Sequence, residues 1–397
     1  MADLRQILSQ GRKRIGLLVG AGAPLSIRVD SSGSLCATGT PLIPAVDELT
    51  KQVIDELPEA TRKVAQTIQQ ELYENANIEV VLSRIRLLQS ALGDAIVHGL
   101  NGKGYAALGQ EICDCIGRKV GANLPAERCA YHELAAWISG THRTQPIEIF
   151  TTNYDMLFEE AFEAARIPYF DGFAGGSSPF FDPVTVAGND LPPRWSRLWK
   201  LHGSLGWSIR NGNIVRSGGK DATQLVYPDH LKYDITQKQP YSALFERLKR
   251  FLTTPDTILL ATGFSFRDAH ICAVMDEALA VNSNSSVFAF QWQKLESEGP
   301  ACRLAQNRPN LSVYTADGAV IGGVNGQWQL GDMPDNWHEI RKTFWGHRNA
   351  ADPPMFLLGD FVAFARFCAL SQALDMVGLA EPLGGAATAS GPGEPAP

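Results

Sequence analysis

Six short strand-like runs limit the possible folds of this 397-residue chain more than any other feature of its sequence. Helical or loop sequence separates the runs, and glycine or polar residues directly follow four of them. Short buried strands alternating with helices are typical of a parallel sheet. The pattern therefore predicts an α/β fold with a Rossmann-like parallel sheet. The runs are 14–19, 147–150, 196–201, 257–261, 286–290 and 311–314.

The remaining sequence predicts additions to this sheet. Between about residues 46 and 139 the apolar residues recur at helical spacing, which indicates a helical insertion after the first strand. A loop is expected at 172–193, where Gly, Pro, Ser and Asp are abundant. Two helices are expected near the end, at 338–347 and 355–374, and the second is apolar enough to be either core or a subunit interface. The predicted units are a catalytic domain (1–45 and 145–330), the helical insertion (46–144), C-terminal helices that form a candidate oligomer interface (331–380) and a disordered tail (381–397).

Composition limits the classes of function. The net charge of -7 argues against direct nucleic-acid binding. The seven cysteines are scattered and show no CxxC spacing, so they predict neither a disulfide framework nor a zinc site. Neither a signal peptide nor a membrane span is recognisable, and a cytoplasmic protein is expected.

The first motif, Gly20-Ala21-Gly22, directly follows the first predicted strand. Small residues at this place let backbone N–H groups approach a pyrophosphate. A tight turn without a ligand explains the motif equally well. The full GxGxxG pattern and the acidic residue expected for ribose binding are both missing, which disfavours a hydride-transferring dehydrogenase.

The second motif contains Thr152, Asn153 and Asp155 and follows the run 147–150. Polar groups at the carboxyl end of a parallel strand face the crevice in which such sheets bind ligands. The alternative is that Asn153 or Asp155 only caps the helix that follows.

The third and fourth motifs also follow predicted strands. His202 comes with Gly203 and Ser204 after the run 196–201, and the imidazole is suited to proton transfer near neutral pH. After the run 257–261, Gly263 and Ser265 can offer backbone and hydroxyl groups to phosphate or ribose. The alternative is an ordinary turn with Asp268 near the start of a helix. In a single parallel sheet, all four motifs would meet along one crevice.

The order of the four motifs resembles the sirtuin superfamily, which has a GAG loop, a TQNID-like segment, a histidine-glycine pair and a GTS-like loop. The Asn77-Ile78-Glu79 segment resembles its bacterial sirtuin-like branch. The resemblance implies a sirtuin-type NAD-binding fold with NAD+ as substrate. It makes Asn153 and His202 the catalytic residues, the first holding a water and the second acting as a base. The implied NAD contacts are Gly20, Ala21, Gly22, Thr152, Asp155 (to the nicotinamide carboxamide), Gly263, Ser265 and Asp268.

The chain also departs from protein-deacylating sirtuins. Those enzymes carry four zinc-binding cysteines after the histidine-glycine pair, whereas residues 204–241 contain no cysteine, so no zinc is expected. A zinc-free domain with a helical insertion resembles NAD-depleting effectors of bacterial antiphage systems. Among these are the Thoeris effector and the sirtuin-like partner of HerA-type hexameric ATPases, and the chain length favours the second. The resemblance thus implies a homo-oligomer that an ATPase partner or assembly controls.

The leading hypothesis is an NAD+ hydrolase that cleaves the nicotinamide–ribose bond and releases ADP-ribose. An NAD-dependent protein deacylase is the first alternative, and a non-catalytic subunit that binds NAD or ADP-ribose and scaffolds an ATPase complex is the second. A nuclease is a remote option, because no acidic pair is placed convincingly for metal binding.

Overall fold

The computed structural model describes residues 1–9, 11–72, 76–211, 213–217, 219–220, 239–329, 331–332 and 337–377. The predicted tail, 381–397, lies outside these residues. Among the described residues no helix is long and apolar enough to cross a bilayer.

The strands and helices of the described residues are named here in chain order. The strands are β1 (Arg14–Val19), β2 (Arg28–Val29), β3 (Thr40–Pro41), β4 (Glu148–Thr151), β5 (Tyr169–Phe170), β6 (Phe173–Ala174), β7 (Phe180–Phe181), β8 (Ser196–Lys200), β9 (Trp207–Arg210), β10 (Asn213–Arg216), β11 (Thr257–Thr262), β12 (Ser286–Phe290), β13 (Leu311–Tyr314), β14 (Gly318–Ile321), β15 (Val324–Gln327), β16 (Trp345–Gly346) and β17 (Met355–Phe356). The helices are α1 (Ala2–Ser9), α2 (Gly22–Ser26), α3 (Val46–Glu56), α4 (Glu59–Leu72), α5 (Ile78–Leu92), α6 (Gly102–Val120), α7 (Ala130–Gly140), α8 (Leu157–Ala164), α9 (Pro183–Ala187), α10 (Tyr241–Thr253), α11 (Ala269–Val281), α12 (Gly299–Asn307), α13 (His338–Phe344) and α14 (Phe361–Val377), with a 3-10 turn at Leu295–Ser297.

The main sheet has the order β15-β14-β13-β12-β11-β1-β4-β8-β5. The strands from β13 to β5 in this order are parallel, which confirms the predicted α/β fold with a parallel sheet. The edge hairpin of β14 and β15 is antiparallel and was not predicted. After β1 the chain adds β4 and β8 on one side of β1, and it later adds β11 to β13 on the other side. The direction of winding therefore reverses between β1 and β11, the place where such sheets bind ligands.

The helices α3 to α7 lie between β1 and β4 in the chain, within the predicted insertion. Their apolar faces are buried in the same hydrophobic cluster as β1 and α14. The final apolar helix begins at Phe361, six residues later than predicted, because Met355 and Phe356 pair with β16 instead. The predicted helix from residue 338 likewise ends early, at Phe344. In α14 the rings of Phe364 and Phe367 are fully buried within this chain, so at these positions the helix is core.

The loop prediction for 172–193 was wrong. This segment contains β6, β7 and α9, and its two strands join a small antiparallel sheet of order β6-β7-β10-β9. Phe173 anchors the sheet by packing against Phe181 and Trp207 at centroid distances of 5.6 and 5.2 Å. Strands of two residues have no detectable periodicity, and β7 also pairs with β10, which is distant in sequence, so composition alone indicated a loop.

A buried ion pair holds β4 against α10. Arg247 donates from Nε and Nη2 to the two carboxylate oxygens of Glu148 at 2.8 and 2.6 Å, and Trp199 Nε1 donates to the same carboxylate at 2.8 Å. Both charged side chains are almost completely buried. Bidentate geometry and the additional indole donor compensate for the loss of hydration.

A second buried ion pair involves Lys200, the last residue of β8. Lys200 Nζ lies 3.1 Å from Glu159 of α8 and also donates to the backbone carbonyl of Asp155. Burial raises the pKa of Glu159 to about 7, against the opposing effect of the Lys200 charge. These contacts attach the end of β8 to the start of α8 and thereby connect the segments that carry the second and third motifs.

Replacing one partner of the first pair should destabilise the fold. We expect Arg247→Met to lower the free energy of unfolding by about 3–5 kcal/mol, because it leaves the Glu148 carboxylate buried without a counter-ion. Urea denaturation measures this loss. The double variant Glu148→Leu/Arg247→Met should recover most of it, and Lys249→Met, which breaks an exposed pair on the same helix, should leave the urea midpoint nearly unchanged. Equal midpoints for Arg247→Met and wild type would contradict this account.

The raised pKa of Glu159 predicts a pH-dependent stability. Between its unfolded value near 4.5 and its folded value of about 7, the folded state binds the extra proton, so stability falls as the pH rises through this window. Relative to Glu159→Gln, wild type should therefore lose about 1–3 kcal/mol between pH 5 and pH 8. Urea denaturation at four pH values measures the difference. The free energy of unfolding of Glu127→Gln, which alters an exposed glutamate, should vary with pH as that of wild type does. The same pH dependence for Glu159→Gln and wild type would refute the prediction.

Candidate functional site

The sheet register brings the four motifs to the same level. Val19 at the end of β1 is paired with Thr262 on one side and with Thr151 on the other, and Thr151 is paired in turn with Lys200. Each motif begins within two residues of these four positions. All four motifs consequently lie at the carboxyl ends of neighbouring strands, around the point where the winding of the sheet reverses.

Glycines allow the loops after β1 and β11 to touch through their backbones. A Cβ on Gly20 would lie 2.4 Å from the carbonyl oxygen of Gly263, and a Cβ on Gly22 would lie 2.6 Å from its Cα. Gly263 itself has a φ of +61°, and its own Cβ would lie 2.7 Å from the backbone nitrogen of Ala23. All of these distances are below any real Cβ contact, so each position requires glycine.

The N–H groups of the two glycines in this first loop already donate to backbone carbonyls. Gly20 donates to Thr262 at 3.1 Å, and Gly22 donates to the carbonyl of Gly263 at 2.9 Å. Ala21 lies at the N-cap of the short helix α2. The geometry thus supports the tight-turn interpretation of the glycines, and phosphate binding by Gly20, Ala21 and Gly22 stays a prediction.

Asn153 is fixed by contacts to the ends of two strands. Its side-chain Nδ2 donates to the carbonyl of Gly20 at 3.1 Å, and its backbone N–H donates to Oγ1 of Thr151 at 3.1 Å. The Thr151 hydroxyl donates at 2.9 Å to Val19, which also accepts the N–H of Thr152 at 3.2 Å. Because the Gly20 carbonyl requires a donor, the amide nitrogen points to it and the amide oxygen Oδ1 points elsewhere.

Asp155 lies deeper than Asn153. It is 5% exposed, and its Oδ1 accepts the backbone N–H of Leu157 at 3.1 Å, in the first turn of α8. Burial raises the pKa of Asp155, whereas the nearby Lys200 charge lowers it. This contact agrees with the alternative that Asp155 caps the helix that follows. A contact of Asp155 with nicotinamide stays a prediction.

His202 and Asp268 meet across the crevice between the third and fourth motifs. The distance from His202 Nε2 to Asp268 Oδ2 is 2.9 Å, and both side chains are about 90% buried. The distance suits an ion pair when the imidazole is protonated, although the relative orientation is not that of a hydrogen bond. The other carboxylate oxygen accepts the backbone N–H groups of His270 and Ile271 at 2.9 and 3.2 Å and caps α11.

Ser265 is exposed between two buried rings. Phe264 and Phe266 pack edge to face with centroids 5.0 Å apart and anchor the loop on the core. The serine is therefore presented at the surface of the loop after β11. This position agrees with a polar contact to a ligand, which stays a prediction.

The helical insertion contributes residues that the strand-end argument did not reveal. The hydroxyl of Tyr154 lies 3.5 Å from Oε1 of Glu79, which follows the Asn77 cap of α5. Leu205, which follows the third motif, lies next to Gly117 of the helix α6. Resemblance drew attention to the 77–79 segment, but only the structure brings it next to the second motif.

Among the described residues no group of three or more His, Cys, Asp or Glu side chains is arranged to hold a metal ion. The seven cysteines are all free.

Comparison with known proteins gives one informative match. No curated protein matches the chain. A solved structure reported as "Structural Basis for the Mechanism and Regulation of Sir2 Enzymes" aligns with 75% of this chain and 87% of its own, at 11% identity and a TM-score of 0.34, which is too low to support an argument. Residues 147–313 match the family model of the SIR2-like domain. This segment contains the second, third and fourth motifs, so Asn153, His202 and Asp268 lie within the part of the chain that matches the SIR2-like domain.

Proposed function

We propose that this protein is an NAD+ hydrolase that cleaves the bond between nicotinamide and ribose. The observation that carries the proposal is the register of the adjacent strands β4 and β8, in which Asn153 and His202 each follow the paired positions Thr151 and Lys200 by two residues. Both lie at carboxyl ends of strands on one side of the reversal point of the sheet, and a dinucleotide binds at the reversal point in folds of this class. The SIR2-like match over 147–313 supports NAD+ as the substrate.

The two side chains suit the chemistry of this cleavage. Departure of nicotinamide leaves an oxocarbenium-like ribose, which a water molecule traps to give ADP-ribose and a released proton. Asn153 has its Nδ2 on Gly20, so its Oδ1 is left to accept a hydrogen bond from that water. His202 takes the proton from the water or from a ribose hydroxyl. The loops after β1 and β11 would hold the diphosphate and the distal ribose, through Ala21 and Ser265.

The proposal extends to regulation and biological role. The chain would act as an antiphage effector that depletes cellular NAD+, and assembly with itself or with a HerA-type ATPase would control it. This part of the proposal is supported only by the resemblance of a zinc-free domain with a helical insertion to such effectors. Its test is the NAD+ content of infected cells that contain the protein with and without the ATPase.

Purified protein incubated with NAD+, with and without the ATPase, should release nicotinamide and ADP-ribose. We expect Asn153→Ala and His202→Ala to lower kcat by about 10²–10⁴, because each removes a group that acts on the reacting atoms. Liquid chromatography of the products measures the rates. Matched controls are Asn284→Ala and His142→Ala, two exposed residues away from the strand ends, and both should keep wild-type rates.

Three other results would overturn the assignment. Equal rates for wild type, Asn153→Ala and His202→Ala would remove both residues from the mechanism. Nicotinamide release that requires an acylated peptide would identify a deacylase instead. Binding of NAD+ without turnover, in the presence of the ATPase and at all protein concentrations, would identify a non-catalytic binding subunit.

A further inference from the structure

The carboxylate of Asp268 makes one contact that helix capping does not explain. Capping of α11 uses Oδ1, which accepts the N–H groups of His270 and Ile271. The other oxygen, Oδ2, lies 2.9 Å from Nε2 of His202. Ser, Thr or Asn would cap the helix as well as Asp does, so capping alone does not require a second carboxylate oxygen at this place.

We propose that Asp268 is a positioning residue that fixes the orientation and the tautomer of His202 in the hydrolysis of NAD+. The proposal rests on the function proposed above. It assigns Asp268 to the histidine, whereas the motif resemblance alone assigned it to the bound nucleotide.

The carboxylate is well suited to this role because it is itself held in place. Two N–H groups from the first turn of α11 fix its Oδ1, and the helix is anchored in the core by the fully buried Ile271 and Met275. The buried Phe264 and Phe266 hold the loop that precedes it. A carboxylate on such a rigid support presents its second oxygen at a constant position, which is what orienting an imidazole requires.

The position of this oxygen has a consequence for the proton on His202. A carboxylate next to Nε2 favours the tautomer that carries its proton there, and Nδ1 then becomes the nitrogen that accepts a proton from the substrate. When the imidazole takes up that proton, the same carboxylate stabilises its positive charge. The misaligned contact is consistent with a hydrogen bond that becomes aligned when substrate binds.

Two substitutions separate positioning from capping. Asp268→Asn and Asp268→Ser both keep a capping oxygen, but neither keeps the carboxylate beside His202. We expect both to lower kcat for NAD+ hydrolysis by about 10²–10⁴ while KM changes less than about threefold. The melting temperature should stay within about 2 °C of wild type. The matched control is Asp182→Asn, which alters the capping aspartate of α9 and should leave kcat unchanged.

A second measurement does not require activity. In protein labelled with ¹⁵N-histidine, the ring signals of His202, identified by their loss in His202→Gln, should show the Nε2-protonated tautomer in wild type. Asp268→Asn should change this signal pattern, and Asp182→Asn should not.

The outcomes distinguish the two proposals. If wild type releases no nicotinamide under any condition, the proposed function fails, and the ¹⁵N spectra still decide whether Asp268 controls the tautomer. If wild type hydrolyses NAD+ and both Asp268 variants keep kcat within twofold, the positioning role alone is wrong. A wild-type spectrum with the proton on Nδ1 would overturn it as well.

Discussion

The backbone contact between the loops after β1 and β11 is the constraint on which the site depends. Three glycines make this contact, and any side chain at these positions would collide with the opposite loop. Because the loops touch, the strand ends on the two sides of the reversal point are held at a constant separation. The Gly20 carbonyl that receives Asn153 and the loop that leads to Asp268 both belong to this unit.

Two buried ion pairs stabilise this arrangement. The Glu148–Arg247 pair ties β4 to α10, and the Lys200–Glu159 pair ties β8 to α8. Glu148 lies three residues before the end of β4 and Lys200 is the last residue of β8, and the residues that follow both strands belong to the site. A shift of either strand would break charge-assisted hydrogen bonds in a medium where an unpaired charge is costly. The positions of Asn153 and His202 are thus determined mainly by groups that take no part in the chemistry.

The site combines residues with local and distant origins. Strand ends predicted the places of Asn153 and His202, since a strand followed by a polar turn is a local pattern. The prediction of Asp268 as a nucleotide contact did not reveal its closeness to His202, because 66 residues separate them and nothing in the intervening sequence marks the pair. The contact of Glu79 with Tyr154 was equally invisible, since it depends on how an inserted helical block docks on the sheet.

The sequence by itself determined the strands of the parallel sheet other than β5, the helical character of the insertion and the chemical identity of the four strand-end motifs. These features follow from the spacing of apolar residues and from turn chemistry, which act over a few residues. Only the tertiary structure decided that Phe364 and Phe367 of the last helix are core, that two-residue strands replace a predicted loop, and that Glu148 is paired with Arg247. It also decided that the glycines serve loop-to-loop packing. The physical reason is that each of these outcomes depends on the free energy of contacts between segments far apart in the chain, which no local pattern encodes.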